Sequence, residues 1–72
     1  MLDFKNKVIK VNLNTESGLM IITGPYIKSE ENFLVVYNPL TEKIEYLSMY
    51  IIKSVSIVRD IEPDDLKAGR RI

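Results

Sequence analysis

Five short segments rich in β-branched and aromatic residues follow one another between residues 8 and 58, separated by polar residues, glycine or proline. No segment before Asp60 repeats its apolar residues with the period of a helix. Strands at a spacing of about 8–12 residues are typical of small sandwiches and barrels. The sequence therefore predicts an all-β fold in a single domain, 1–72, with a small, strongly bent five-stranded barrel over about residues 7–59.

The predicted strands are residues 8–13, 19–23, 33–37, 44–49 and 52–58. In the first, Lys10 and Asn12 alternate with apolar residues, as in a half-buried strand. Gly24 is the candidate bend point, because the following Pro25 cannot donate to a strand ladder. Tyr26 and Ile27 are expected to continue the strand beyond it.

The segment FLVVY, residues 33–37, is apolar throughout, which indicates a central strand covered on both faces. So thin a domain is expected to need another chain to cover part of this strand. The segment SMYII, residues 48–52, is expected to be an exposed edge, and exposed edges pair with neighbouring chains. The predicted oligomer interface consists of Met49, Tyr50, Ile51 and Ile52.

The tail, residues 60–72, differs from the strands. Pro63 fits the first position of a helix, Asp64 and Asp65 its positive first turn, Lys67 its end and Gly69 the position beyond. We expect a short C-terminal helical turn or a frayed tail. A hard cation held by Glu62, Asp64 and Asp65 is the weaker alternative, so no metal site is predicted.

A chain of 72 residues buries only about 60% of the surface that it exposes when unfolded, and the cost of ordering it nearly cancels the gain. Cysteine and histidine are both absent, so disulfides and zinc sites cannot supplement the core. Hydrophobic residues make up 46% of the chain, and surplus apolar surface indicates an interface. We therefore expect association between copies of the chain.

Composition and motifs argue against an enzyme. Without histidine or cysteine the common catalytic triads cannot form, and the three glycines stand too far apart for a phosphate-binding loop. We predict no catalytic residues and no cofactor. The first residues lack the apolar core of a signal peptide, and no apolar run is long enough to span a membrane, so we expect a cytoplasmic protein.

Ten basic and ten acidic residues give no net charge, so no strong non-specific field for nucleic acid is expected. Single strands can still be held by aromatic stacking together with local basic side chains. Tyr26, Phe33, Tyr37, Tyr46 and Tyr50 are the candidate aromatics, with core or interface packing as the alternative. Lys28, Lys43, Lys53, Arg59, Arg70 and Arg71 are the candidate cations, and Arg70 and Arg71 can equally be a solubilising tail. Glu30 and Glu31 fit a solvated turn better than a ligand site.

From residue 8 to 58 the pattern resembles the Sm-like family, whose members are strongly bent five-stranded SH3-like barrels that form rings and bind RNA. Gly24, Glu30 and the apolar residues from Phe33 fall at the intervals of the family's first motif, and Ile52-Lys53-Ser54 resembles its second. The resemblance implies a barrel of Sm type. The nucleic-acid contacts that it implies are Glu30, Asn32, Tyr50, Lys53 and Ser54.

The sequence therefore favours a ring-forming Sm-like protein that binds single-stranded RNA or DNA. The alternative is a homo-oligomeric structural or protein-interaction module without nucleic-acid binding. The neutral charge favours this alternative, as do Leu34 and Met49, which stand where the family has polar contacts. A third hypothesis is a small-ligand site in pockets between subunits.

Overall fold

The computed structural model describes residues 3–66, which form five antiparallel strands and one short 3-10 helix. The strands are β1 (Lys7–Thr15), β2 (Gly18–Ser29), β3 (Phe33–Asn38), β4 (Lys43–Ser48) and β5 (Ile52–Asp60), and the 3-10 helix is Pro63–Leu66. The all-β fold, the five strands and the short helical turn are thus confirmed. The predictions for Lys67, Gly69, Arg70 and Arg71 lie outside the described residues.

The strands form one antiparallel sheet in the order β4-β3-β2-β1-β5. The sheet is not closed, because no ladder in the described part of the chain joins β4 to β5. Of the predicted barrel, the structure therefore shows the single five-stranded antiparallel sheet but not its closure. Its two edges are β4 and β5.

β2 changes its pairing partner along its length. Residues from Gly18 to Pro25 pair with β1, and residues from Tyr26 to Ser29 pair with β3. A Cβ atom on Gly24 would stand 1.8 Å from the Tyr37 carbonyl oxygen, so only glycine permits this approach of two backbone segments. The residue predicted as a bend point lies next to the place where the two halves of the sheet meet.

Both halves of the sheet contribute to one buried core. Its members are Ile9, Val11, Leu13, Ile22, Leu34, Val36 and Leu47, and the partly buried Phe4, Tyr26, Ile52 and Val55 pack against them. β1 and β4 are three places apart in the sheet order, yet both reach this cluster. The two halves of the sheet must therefore fold toward each other at β2.

The expectation that another chain must cover residues 33–37 is wrong. Leu34 and Val36 lie in the core, and Val35, on the opposite face of β3, is also buried within the protomer. Only Phe33 in this segment is exposed. A single chain therefore covers most of this segment by itself.

The segment predicted as an exposed edge, residues 48–52, is exposed at Met49, Tyr50 and Ile51 but connects the two edge strands instead of forming an edge of its own. β4 ends at Ser48, the chain turns through residues 49–51, and β5 begins at Ile52. The Ile51 N–H donates to the Ser48 carbonyl oxygen at 3.1 Å, and the Tyr50 N–H donates to the Ser48 hydroxyl at 3.3 Å. The predicted strands, 44–49 and 52–58, left residues 50 and 51 between them, so the pattern located this connection and only extended the fourth strand by one residue.

Asp65 ties the 3-10 helix to the end of β5. Its carboxylate accepts two hydrogen bonds from the Arg59 guanidinium, at 2.7 and 2.8 Å, and a third from the Glu62 backbone N–H at 2.7 Å. Asp65 was predicted as a charge at the start of the helix or, in the weaker alternative, as a cation ligand, whereas its side chain is buried and paired with Arg59. The segment after β5 is thereby held on the sheet, where the helix contacts β2.

Replacing Gly24 with alanine should destabilise the protein by about 1–3 kcal/mol, because the new methyl group would overlap the Tyr37 carbonyl. The measurement is the free energy of unfolding from urea denaturation at one protein concentration. Thr23→Ala, at the neighbouring position of β2, is the control and should cost roughly 0.5–1 kcal/mol. Equal losses in the two variants would contradict the close-approach account.

Candidate nucleic-acid interface

Two turns lie side by side at one end of the sheet. The first covers residues 30–32, where the Glu30 N–H donates to the Phe33 carbonyl oxygen at 2.8 Å. The second is the turn through residues 49–51, and its Met49 N–H donates to the Asn32 carbonyl oxygen at 2.9 Å. Three predicted contacts, Glu30, Asn32 and Tyr50, are thus brought to the same end of the molecule.

The other two predicted contacts lie on the sheet face formed by β1 and β5. The Ser54 hydroxyl accepts a hydrogen bond from the Asn12 side-chain amide at 2.8 Å. Lys53 is the extra residue of a bulge in β5, between the residues that pair with Asn12 and Leu13. Together with Leu19 and Ile21, these residues line a shallow cavity of about 250 Å³. The five predicted residues therefore form two groups rather than one.

Two cations that the sequence offered for phosphate contacts are already paired. Lys28 forms a 2.8 Å ion pair with Glu30, and the hydrogen bond to this carboxylate raises the pKa of Lys28. The hydrogen bonds from Arg59 to Asp65 likewise raise the pKa of Arg59. Their expected contribution to a basic surface is therefore reduced, because each already faces a carboxylate.

Other lysines in the described part of the chain have no carboxylate partner and could contact a phosphate. Within residues 3–66, Lys10, Lys43 and Lys53 form no ion pair. Lys10 pairs with Ser56 of β5 and Thr23 of β2, so it shares the sheet face of Asn12 and Ser54. Neither Lys10 nor Asn12 was predicted as a contact, although their alternation in the sequence had placed them on the polar face of the first strand.

The aromatic residues divide between packing and exposure. Tyr26 packs against Phe4, with ring centroids 5.7 Å apart, and belongs to the edge of the core. Phe33 and Tyr46 meet edge to face at 6.2 Å. Tyr50 has 88% of its surface exposed in the turn before β5. Of the predicted aromatics, Tyr50 has the geometry of a stacking platform, whereas Tyr26 has that of a packing residue.

No cluster of carboxylates in residues 3–66 has the composition and arrangement of a metal site. No helix in this part of the chain is long and apolar enough to cross a membrane. The candidate cation ligand Asp65 is engaged instead by Arg59 and by the Glu62 backbone.

The chain matches no protein-family model, no curated protein and no solved structure. The Sm-like resemblance consequently stays a prediction from the sequence motifs.

The ion pair between Lys7 and Asp60 predicts acid sensitivity at the ends of β1 and β5. The hydrogen bond from Lys7 lowers the pKa of Asp60. A lowered folded-state pKa contributes stability above the unfolded value, about 3.9, and that stability is lost as the pH falls through the folded value. The difference in unfolding free energy between wild type and Asp60→Asn should therefore be present at neutral pH and vanish in strong acid.

Urea denaturation at a series of pH values, at constant protein concentration, measures this difference. Glu16→Gln is the control, since Glu16 has no ion-pair partner within residues 3–66 and lies in the turn between β1 and β2. A difference for Asp60→Asn that stays constant down to the acid limit would contradict the assignment.

Proposed function

We propose that copies of this chain pair edge to edge through β4 and β5 into a closed ring, and that the ring binds single-stranded RNA or DNA. The observation that carries the proposal is the sheet order, which leaves β4 and β5 as edges. Half of the backbone N–H and C=O groups on an edge strand point away from the sheet and are available to another strand. Each protomer therefore has one β4 edge and one β5 edge.

Exposed apolar side chains on both edges support the proposal. Ile44 and Tyr46 on β4 are 57% and 55% exposed, and Ile57 and Val58 on β5 are 46% and 50% exposed. Pairing β4 of one copy with β5 of the next would remove this surface from water, which stabilises by about 25 cal/mol for each Å² buried. Neither strand contains proline, which would prevent full pairing.

The bulges of β5 define the segment that can pair regularly. They fall at Lys53 and Val58, so residues 54–57 form an uninterrupted stretch between them. A β4 strand of six residues is long enough to cover this stretch. Because the contact joins two different edges, it is head-to-tail, and such contacts close into a ring when the rotation divides a full turn.

The Sm-like resemblance agrees with several placements in the chain. Gly24 of the first motif lies at the close backbone approach in β2, and Glu30 follows the end of that strand. Ile52-Lys53-Ser54 of the second motif begins β5. These placements support a barrel of Sm type in the assembled ring.

For the ligand, we propose a path over the exposed Tyr50 ring and the face that carries Lys10, Lys53 and Ser54. Stacking on an aromatic ring and charge from nearby lysines are the two interactions that hold single strands. The side-chain amide of Asn12 and the hydroxyl of Ser54 supply hydrogen-bonding groups on the same face.

A second candidate function is a homo-oligomeric structural or protein-interaction module that assembles in the same way and binds no nucleic acid. The ion pairs of Lys28 and Arg59 favour it, because they remove two of the predicted phosphate contacts. Absence of oligonucleotide binding at low salt by an intact ring would select this candidate.

Replacing Ile44 with glutamate should dissociate the assembly, because it would place an unpaired charge in the proposed contact. Light scattering coupled to size exclusion, at micromolar concentration, should give an oligomer for wild type and mainly monomer for the variant. Leu19→Glu is the control. Leu19 is 70% exposed but lies at the start of β2, next to the β1–β2 turn and on a strand that is not an edge in the sheet order, so that variant should remain assembled. A monomeric wild type would refute the ring.

Replacing Lys53 with glutamate should weaken binding of a mixed-sequence single-stranded oligonucleotide roughly three- to tenfold at low salt. The slope of log affinity against log salt should fall in magnitude by about 0.7 for each phosphate that the variant no longer neutralises. Fluorescence anisotropy measures both quantities, and light scattering checks that the oligomer is intact.

The control for this variant is Lys5→Glu, which carries the same charge change before β1, at the far end of that strand from Asn12. An affinity that falls equally in both variants would show that the loss comes from the change in net charge and not from the position of Lys53. An unchanged affinity in Lys53→Glu would remove Lys53 from the binding surface.

A further inference from the structure

A second cavity, of about 370 Å³, opens beside the two adjacent turns. Its apolar walls are formed by Phe4, Leu34, Met49, Ile52 and Val55. Leu34 belongs to the buried core, and Phe4, Ile52 and Val55 pack against that core. An apolar cleft of several hundred Å³ with a few polar groups is the usual form of a small-ligand site.

The polar groups that line this cavity are one hydroxyl and two carboxylates. They are Ser29, Glu30 and Glu31, and no basic side chain among residues 3–66 lines the cavity. The Glu30 carboxylate forms an ion pair with the Lys28 ammonium, with Nζ and Oε1 2.8 Å apart. Glu31 has no ion-pair partner in the described part of the chain and is exposed to solvent. The cavity therefore combines an apolar interior with a negatively charged rim.

We propose that this cavity binds a small organic cation with an apolar body, of the arylalkylammonium type. The apolar body would fill the space between Leu34, Ile52 and Val55, where it would be removed from water. The ammonium group would remain at the rim and donate to the Glu31 carboxylate, forming a charge-assisted hydrogen bond. A carboxylate or phosphate of the same shape would instead be repelled by Glu31, since the charge of Glu30 is already compensated by Lys28.

This site is separate from the proposed nucleic-acid path and requires neither the ring nor a nucleic acid. Lys53 and Ser54 line the other cavity, with Asn12, Leu19 and Ile21. A nucleotide phosphate is disfavoured in the larger cavity, because its rim carries the Glu31 carboxylate and no basic side chain among residues 3–66 lines it.

The test uses the full chain and the probe 2-phenylethylammonium, titrated while NMR spectra of methyl groups are recorded. We expect saturable shifts at Leu34, Met49, Ile52 and Val55. The matched anion 3-phenylpropionate has a similar apolar body and should bind at least about tenfold more weakly. Equal binding of the two probes, or shifts confined to other parts of the chain, would overturn the proposal.

Replacing Glu31 with glutamine should weaken binding of the cation about three- to tenfold and leave binding of the anion unchanged or improved. Glu31 is exposed in a turn, so the variant should fold, and its spectrum without ligand verifies this. Glu16→Gln removes the same charge in the β1–β2 turn and should bind like wild type. An unchanged affinity in Glu31→Gln, or an equal loss in both variants, would refute the assignment of the Glu31 carboxylate as the group that binds the ammonium.

Discussion

The close approach of the β2 backbone to Tyr37 at Gly24 is the constraint on which the rest of this fold depends. A side chain at this position would collide with a carbonyl oxygen, so the two segments could not come together. Because they do, β2 can pair with β1 over one part and with β3 over the other. A single core then forms between the two halves of a sheet that is too small to have one if flat.

The same arrangement determines which strands remain as edges. Folding the sheet at β2 places Leu34 and Val36 of β3 in the core but leaves β4 and β5 as edges with apolar side chains in water. A domain of this size has little stability to spare, and it has no disulfide to supply more. Association of edges between copies would supply both strand pairing and burial, and the proposed ring rests on this property of the edges.

Local patterns in the sequence predicted the features that depend on neighbouring residues. Alternation in residues 8–13 identified β1 and its buried face, and Gly24-Pro25 identified the position where β2 changes partner. The clearest error concerns burial that depends on the whole fold. Val35 is buried within one chain, although the apolar pattern of its strand indicated cover from a second chain.

Charge pairing was the least predictable property of the candidate site. Arg59 and Asp65 are six residues apart, and their pairing requires the chain to turn after β5 and lay the 3-10 helix against the sheet. Lys10 and Lys53 come onto one face only through the ladder between β1 and β5. Composition could establish that charges balance, but it could not establish which lysines remain available to a ligand.

Amide hydrogen exchange across a protein dilution series tests most directly whether a second copy completes the open edges. If copies pair through these edges, outward-pointing amides of β4 and of residues 54–57 will be protected at high concentration and lose protection on dilution, while β1 amides stay protected throughout. Outward amides of both edge strands that exchange rapidly at every concentration, in a stably folded protein, would rule out edge pairing between copies.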